Sequence, residues 1–399
     1  MAGSNPDSSA TTVAEGQQQE TQTFAFIAMT CLFFFWGFIT VLNDILIPFL
    51  KESFDLNYTQ AMLVQFCFFG AYFIVSPFAG RLIDKVGFQT GIVIGLLTTA
   101  LGCILFYPSA DLHIYALFLF AFFVLASGIT ILQVAANPYV AALGPEKTAA
   151  SRLNLAQAAN SFGTTVGPIV GAALILGVVA ADASAVQGPY LMIAALLVVA
   201  AIVFRSIKLP VLTHMESEEK AEGSVWEHRH LVLGALAIFL YVGGEVSIGS
   251  FLVNYFSESS IAGMSTADAG EMVAYYWGAA MIGRLFGAVL MNYVAATKYL
   301  AVNALIAIIM IIVSMNSTGD VAMWSILAVG FFNSIMFPTI FTLAVKGLGS
   351  MTSKGSGLVC QAIVGGALIP LVQGVAADSI GIQLSFIVPM LCYIYIGWY

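Results

Sequence analysis

Charged residues are scarce in this sequence: only 9% of its 399 residues are Asp, Glu, Lys or Arg, whereas 60% are apolar. An ordinary soluble domain carries roughly 25% charged residues. The composition therefore excludes a soluble globular protein. It predicts an all-α protein that crosses a membrane several times, for which chain length is no guide to the number of domains.

Cysteine and histidine are also too few, and too dispersed, to build a site. All five cysteines fall inside apolar runs without framework spacing, which excludes a disulfide scaffold. Of four histidines, three (His214, His228 and His230) lie in or beside one polar stretch. We therefore expect no metal site. An enzyme acting inside the membrane would need a nucleophile–base pair or metal ligands within its spans, and we expect no catalytic residues.

Twelve apolar segments are long enough to cross a bilayer, and one long polar stretch divides them into two groups of six. The segments lie near residues 23–50, 58–80, 88–107, 112–142, 150–180, 189–207, 229–256, 269–293, 298–315, 321–346, 352–376 and 381–399. The predicted organisation is a disordered tail (1–22), a first six-helix bundle (23–207), a linker (208–228) and a second six-helix bundle (229–399).

The positions of Lys and Arg predict the orientation. If the N-terminus is inside, twelve of the thirteen basic residues fall in inner loops or at inner segment ends, and only Lys51 is outside. Arg284 is counted among the inner residues. The positive-inside rule therefore places both termini in the cytoplasm.

A glycine-bounded charged stretch, Gly80-Arg81-Leu82-Ile83-Asp84-Lys85-Val86-Gly87, lies between the second and third segments. Glycines allow a tight turn and close helix approach. The charges can form ion pairs between helices at the cytoplasmic face. We predict a cytoplasmic gate here. Its proposed residues are Gly80, Arg81, Asp84, Lys85, Gly87 and Arg152.

Polar side chains recur inside the first six segments. Segment one carries Asn43 and Asp44, and a carboxylate inside a membrane is by default functional. Segments four and five carry two amide pairs at helical spacing, Gln133 with Asn137 and Gln157 with Asn160. An amide both donates and accepts hydrogen bonds, which suits a neutral polyhydroxylated solute. The alternative is that these amides only bridge helices.

The second six segments carry a related set. Glu245 is a carboxylate within segment seven, and Trp277 in segment eight offers an aromatic face for the C–H surface of a sugar. Asn333 precedes Pro338 by five residues, as Gln133 precedes Pro138. Gln361 occupies in segment eleven the place that Gln157 has in segment five. These parallels indicate a duplicated six-helix unit, with a binding site between the halves. Glu245 has the alternative of capping exposed backbone donors.

Several strings in the first half resemble the L-fucose permease and glucose/galactose porter family of major facilitator transporters. They are Asn43-Asp44-Ile45-Leu46-Ile47-Pro48, Ala135-Ala136-Asn137-Pro138-Tyr139, Leu143-Gly144-Pro145-Glu146 and Arg152-Leu153-Asn154-Leu155-Ala156-Gln157. The resemblance implies the major facilitator fold, with twelve transmembrane helices in two six-helix halves, in a bacterial inner membrane. It also implies sugar symport by alternating access. The fucose permease links an aspartate in segment one and a glutamate in segment four to proton coupling. Asp44 matches the first, but Gln133 replaces the second, as in the glucose/galactose branch.

These observations predict a secondary transporter that imports a hexose (glucose or galactose, with fucose as a further candidate). Asp44 would couple transport to H⁺, with Glu245 as the second coupling residue. Hydrogen bonds to the sugar would come from Asn43, Gln133, Asn137, Gln157, Asn160, Glu245, Asn333 and Gln361, with stacking from Trp277. We expect a monomer in the bilayer, with no cofactor beyond the coupling ion and no nucleic-acid partner. Alternatives are Na⁺ coupling, uncoupled transport and efflux of amphipathic compounds, which the many amides disfavour.

Overall fold

The computed structural model describes residues 22–55, 58–171, 186–207, 209–210 and 224–399. Within these ranges the description leaves out the side chains of residues 41–49, 51–52, 58–62, 65, 168–171 and 266–267. The predicted tail (1–22) and linker (208–228) lie mostly outside the described residues. The described part of the chain is helical and contains no strand.

Fifteen α-helices follow one another in the described ranges. They are α1 (Thr23–Ser53), α2 (Tyr58–Val86), α3 (Phe88–Asp111), α4 (Tyr115–Ala142), α5 (Ala149–Gly171), α6 (Gln187–Ser206), α7 (Arg229–Ser257), α8 (Thr266–Leu290), α9 (Ala296–Asn316), α10 (Gly319–Asn333), α11 (Met336–Val345), α12 (Thr352–Gln361), α13 (Gly365–Ile380), α14 (Ile382–Ser385) and α15 (Ile387–Trp398).

These helices form twelve spans, as the apolar segments predict. Helices α1 to α9 are single spans, whereas α10–α11, α12–α13 and α14–α15 are three spans that are each broken once. Ten segments of the described chain are long and apolar enough to cross a membrane, and Ile382–Trp398 is a shorter apolar segment. Hydropathy located these spans but not their breaks, because a break follows from local backbone chemistry rather than from mean apolarity.

Glycines let the first helix of each half pack closely against a later helix of the same half. A Cβ on Gly163 of α5 would overlap the backbone carbonyl of Phe34 in α1. In the second half, a Cβ on Gly365 of α13 would overlap the carbonyl of Phe239 in α7. Small residues permit such close helix packing in membranes, where apolar surface alone drives no association. The equivalent positions agree with the predicted duplication.

The two ends of the bundle differ in charge. One end, called here the basic end, carries Arg81, Lys85, Lys147, Lys346 and Lys354 at helix ends and turns. The opposite end, called the acidic end, carries Asp111, Glu258, Asp268, Asp320 and Asp378. Between the halves, α2 packs against α12 and α5 packs against α8.

The chain that leaves α6 is fixed to the first half as far as the start of the predicted linker. The side-chain amide of Gln89 donates to the carbonyls of Phe204 (2.7 Å) and Ile207 (2.9 Å). The hydroxyl of Tyr139 donates to the carbonyl of Pro210 at 2.9 Å. The connection to the second half is thus tied to α3 and α4 as far as Pro210, and the described chain resumes at Ser224.

Candidate substrate cavity

A cavity of about 180 Å³ lies between the two halves near the middle of the spans. Its walls come from α1, α2, α4 and α5 on one side and from α7, α8, α11 and the turn after α12 on the other. The lining residues are Trp36, Thr40, Phe68, Tyr72, Gln133, Gln157, Asn160, Thr164, Tyr241, Val242, Glu245, Arg284, Phe337, Pro338 and Ile363.

Three of the predicted amides line this cavity together. Asn160 donates to the backbone carbonyl of Phe33 at 3.0 Å, which leaves its side-chain oxygen available. Gln133 and Gln157 are 5% and 7% exposed. Neither side-chain amide forms a hydrogen bond within the described part of the chain. The first half therefore presents free amide donors and acceptors to the cavity, which is the chemistry that sugar hydroxyls require.

The second half contributes a pair of opposite charges to the same cavity. A guanidinium nitrogen of Arg284 lies 3.7 Å from a carboxylate oxygen of Glu245, and the two side chains are 15% and 12% exposed. The hydroxyl of Tyr241 donates to the same carboxylate at 2.7 Å. Ionisable residues inside membranes are paired and mark functional sites. As a pair, Glu245 and Arg284 add no net charge to the cavity.

Arg284 is the residue that the sequence prediction misplaced. It was counted with the inner loops, but it lies in α8, six residues before the helix ends at Leu290. Its guanidinium also donates to the hydroxyl of Ser161 in α5 and, at 3.1 Å, to the carbonyl of Ser334. Arg284 therefore connects the second half to the first. Its position inside the predicted segment 269–293 was the available signal.

Proline explains why the carbonyl of Ser334 can accept this bond. Pro338 has no backbone N–H, so the carbonyl four residues earlier loses its usual helical donor. In the first half, Pro138 frees the carbonyl of Val134 in the same way. That carbonyl accepts a hydrogen bond at 2.8 Å from the buried hydroxyl of Ser356 in α12. In both halves, a side chain replaces the missing donor, as membrane helices with proline require.

Three predicted substrate contacts lie away from the cavity lining. Asn333 is fully buried and donates to the hydroxyls of Tyr276 (2.7 Å) and Tyr393 (2.9 Å). Gln361 donates to the carbonyl of Phe73 in α2 at 3.2 Å. Both amides bridge helices in this structure, which is the alternative given above for the amides of the first half. Trp277 is 44% exposed, and its ring lies against Gly249 of α7. The structure does not bring these three residues to the other predicted contacts.

The remaining predicted site residues cannot be placed as simply. Asn137 lies on α4 one turn beyond Gln133 and is fully buried, outside the cavity lining. Asn43 and Asp44 belong to α1, but their side chains lie outside the described residues. The suggested coupling role of Asp44 therefore remains a prediction. The backbone places Asp44 four residues, about one helical turn, after the cavity residue Thr40.

The stretch from Gly80 to Val86 is the end of α2 and not a loop, because the helix continues to Val86 and turns only at Gly87. Gly87 has φ 78°, which favours glycine. Asp84 pairs with Lys354 of α12 at 3.2 Å, so this contact does join the halves. Next to it, a Cβ on Gly80 would lie 2.8 Å from the carbonyl of Ser353.

The other predicted gate cations do not join the halves. Arg152 is buried and donates only within the first half: to the carbonyls of Val140, Ala141 and Pro145 and to the hydroxyl of Thr148. It satisfies the free carbonyls at the end of α4. Arg81 lies over the ring of Phe78 at 6.0 Å, and Lys85 is exposed. Another ion pair does cross between the halves, Glu146 with Lys346 at 3.0 Å.

The fold and this cavity together define a multi-pass membrane transport protein. Within the described residues, no cluster of His, Cys, Asp or Glu could hold a metal ion. The chain matches the profile of the Major Facilitator Superfamily over residues 25–370, and it belongs to that superfamily. The twelve-helix prediction is thereby confirmed.

Named relatives cover nearly the whole chain. A glucose/galactose transporter of Brucella abortus is 57% identical over 392 residues, which are 96% of this chain and 95% of the relative. The L-fucose-proton symporter of Escherichia coli is 34% identical over 409 residues, covering 94% and 92% of the two chains. The crystal structure of FucP in the outward conformation matches with a TM-score of 0.87 at 34% identity, over 94% of this chain and 97% of that one. These relatives are transporters, and the chain is a transporter rather than an enzyme.

Proposed function

We propose that this protein imports a neutral hexose, glucose or galactose, by cation-coupled alternating access. The observation that carries the proposal is the pair of unpartnered amides, Gln133 and Gln157, in a cavity that both halves line. A neutral cavity that combines amides with a compensated Glu245–Arg284 pair favours hydroxyl groups over an anionic or amphipathic solute. The relatives named for glucose and galactose transport support this substrate class.

The coupling ion in this proposal is H⁺, and Asp44 binds it. The relative named as a fucose-proton symporter supports H⁺ over Na⁺. Gln133 cannot titrate, so coupling rests on Asp44, with Glu245 as the second candidate. Protonation of Asp44 removes a charge from the bilayer interior, and rearrangement of the loaded carrier then costs less. No other cofactor is needed. The proposed setting is a monomer in a bacterial inner membrane, with the basic end in the cytoplasm.

Proteoliposomes test this proposal directly. Uptake of labelled glucose, galactose and fucose would be measured under a proton gradient and, separately, under a sodium gradient. We expect concentrative uptake of glucose or galactose with the proton gradient alone. Asp44→Asn should lose accumulation but keep counterflow exchange. Accumulation that requires the sodium gradient would show that the coupling ion is Na⁺ and not H⁺. Equilibration without accumulation would indicate uncoupled transport, and absence of hexose transport by the wild type would refute the substrate class.

A further inference from the structure

A second cavity, of about 700 Å³, lies between the halves at the basic end. Helices α4, α5 and α11 and the turn after α8 contribute to its walls, with Ala141, Ala150, Thr342 and Met291 among the lining residues. The central cavity draws on α4, α5, α8 and α11 one to two turns further in. The two cavities therefore lie along one route through the protein. Side chains of these helices fill the space between the cavities.

Two helix faces lead from one cavity to the other. On α4, Gln133 lines the central cavity, Ala141 lines the basic-end cavity, and Asn137 is four residues from each. On α5, Gln157 lines the central cavity and Ala150 the basic-end cavity, and Asn154 is three and four residues from them. Residues three or four apart share a helix face. Each helix thus places an asparagine on the route, in the closed segment between the cavities.

The amides of these asparagines lack partners that their chemistry requires. Both side-chain atoms of Asn137 are buried without a hydrogen bond, and so is the side-chain oxygen of Asn154. The amide nitrogen of Asn154 donates to Ala150 of its own helix at 2.9 Å and to the sulfur of Met291, a weak acceptor, at 3.4 Å. An unsatisfied buried polar group is costly, and native structures contain few of them.

We propose that Asn137 and Asn154 form a second hydroxyl-binding position, which the transported sugar occupies on its way between the two cavities. It takes the same ligand class as the central cavity, a neutral polyhydroxylated solute, and it rests on the proposed function. Met291 directly follows the last residue of α8, in the other half. When the basic end opens, α8 moves away from α5, and the amides of Asn137 and Asn154 face the route. The donor and acceptor that are unpaired here then bind sugar hydroxyls.

Replacement by leucine, an apolar residue of similar size, separates this role from folding. Asn137→Leu removes an amide that makes no hydrogen bond here, so the thermal stability should equal or exceed that of the wild type. Glucose binding to the central cavity, measured by calorimetry, should change less than about twofold. Glucose counterflow should slow about tenfold, because one hydrogen-bonded position on the route is lost. Asn154→Leu is the second variant, with the same expectations for binding and counterflow.

The control is Asn303→Leu. Asn303 is also a buried asparagine, but it lies on α9 and donates to the carbonyl of Tyr299 at 2.8 Å. This variant should lose thermal stability and keep the ratio of counterflow to binding. A wild-type counterflow rate in both Asn137→Leu and Asn154→Leu would overturn the proposal.

Deoxy sugars distinguish sugar contact from an effect on helix movement. If Asn137 binds a hydroxyl, the wild type should transport one monodeoxyglucose more slowly than glucose in counterflow. Asn137→Leu should transport the two sugars at equal rates. Its binding affinities for the two sugars should still differ as they do in the wild type. If Asn137→Leu slows the counterflow of glucose and of every monodeoxy analogue by the same factor, Asn137 acts only on helix movement. That result would overturn the proposal. If the wild type neither binds nor transports a hexose, the proposed function fails. A transporting wild type with unaffected leucine variants refutes only the second position.

Discussion

The two halves contain the same backbone defect and compensate it differently. In the first half, Pro138 frees the carbonyl of Val134, and Ser356 of the other half donates to it directly. In the second half, Pro338 frees the carbonyl of Ser334, and Arg284 of the same half donates to it. Helix α4 continues through its proline, whereas the equivalent span breaks between α10 and α11. One compensation is neutral and crosses between the halves, and the other is charged.

The charged compensation has consequences that the neutral one lacks. A serine hydroxyl has a single donor, and the carbonyl of Val134 takes up that of Ser356. A buried guanidinium has five donors and a charge, and it requires further partners. Arg284 obtains them from Glu245 and from Ser161 of α5. The duplicated architecture therefore has a closing contact at one position and, at the other, a charge pair that lines the cavity.

Removal of the charged compensation should have the largest effect. Arg284→Gln leaves the buried carboxylate of Glu245 without a countercharge, and breaking such a pair costs about 3–5 kcal/mol. We expect a strong loss of thermal stability and no detectable hexose counterflow. The double variant Arg284→Gln/Glu245→Gln should recover most of the stability, since it leaves no unpaired charge. A single variant as stable as the wild type would show that the pair is not energetically coupled.

Removal of the neutral compensation should have an intermediate effect. Ser356→Ala leaves the Val134 carbonyl unsatisfied and weakens the closed basic end by about 1 kcal/mol. Spin labels at positions 146 and 346, whose native side chains pair across this end, should report a larger population of long distances. Transport should persist. The control is Ser379→Ala, because Ser379 bonds only within α13. An unchanged distance distribution in Ser356→Ala would argue that the contact does not hold this end closed.

The smallest effect is expected at the rim of the same interface. Asp84 and Lys354 pair at 3.2 Å, but their side chains are 25% and 36% exposed. Exposed pairs contribute roughly 0.2–1 kcal/mol and are screened by salt. Asp84→Asn should therefore shift the same spin-label distances less than Ser356→Ala does, and the shift should vanish at high salt. Asp378→Asn at the acidic end should leave them unchanged. If Asp84→Asn has a salt-independent effect as large as that of Ser356→Ala, burial does not decide how much each contact contributes to closing this end.

Apolarity and helical spacing were sufficient to predict the spans and part of the cavity. Gln133, Gln157 and Asn160 were found because an amide inside an apolar span requires a polar partner, whichever face of the helix carries it. The same signal also selected Asn333 and Gln361, which bridge helices instead. Sequence cannot separate these cases, because the difference lies in which neighbour each amide faces. That depends on packing between distant parts of the chain.

Partnerships across the halves were beyond sequence reasoning for the same reason. Asp84 was predicted to form an ion pair at the gate, but Lys354 could not be named as its partner. Arg284 was assigned to an inner loop because a charge count favours loops. Its acceptor, the carbonyl of Ser334, is backbone and leaves no mark in the side-chain pattern. Pro338 is the signal that could have identified this acceptor, because a proline in a span implies a free carbonyl four residues earlier.

The fixed start of the linker limits how the halves are tethered. Tyr139 holds Pro210 against the first half, and the described chain resumes at Ser224, fourteen peptide units further on. A fully extended chain of that length reaches at most about 46–50 Å. That length is the upper limit on the separation of Pro210 and Ser224 at any point of the cycle. Within that limit, the contacts of α2 with α12 and of α5 with α8 are what hold the halves together.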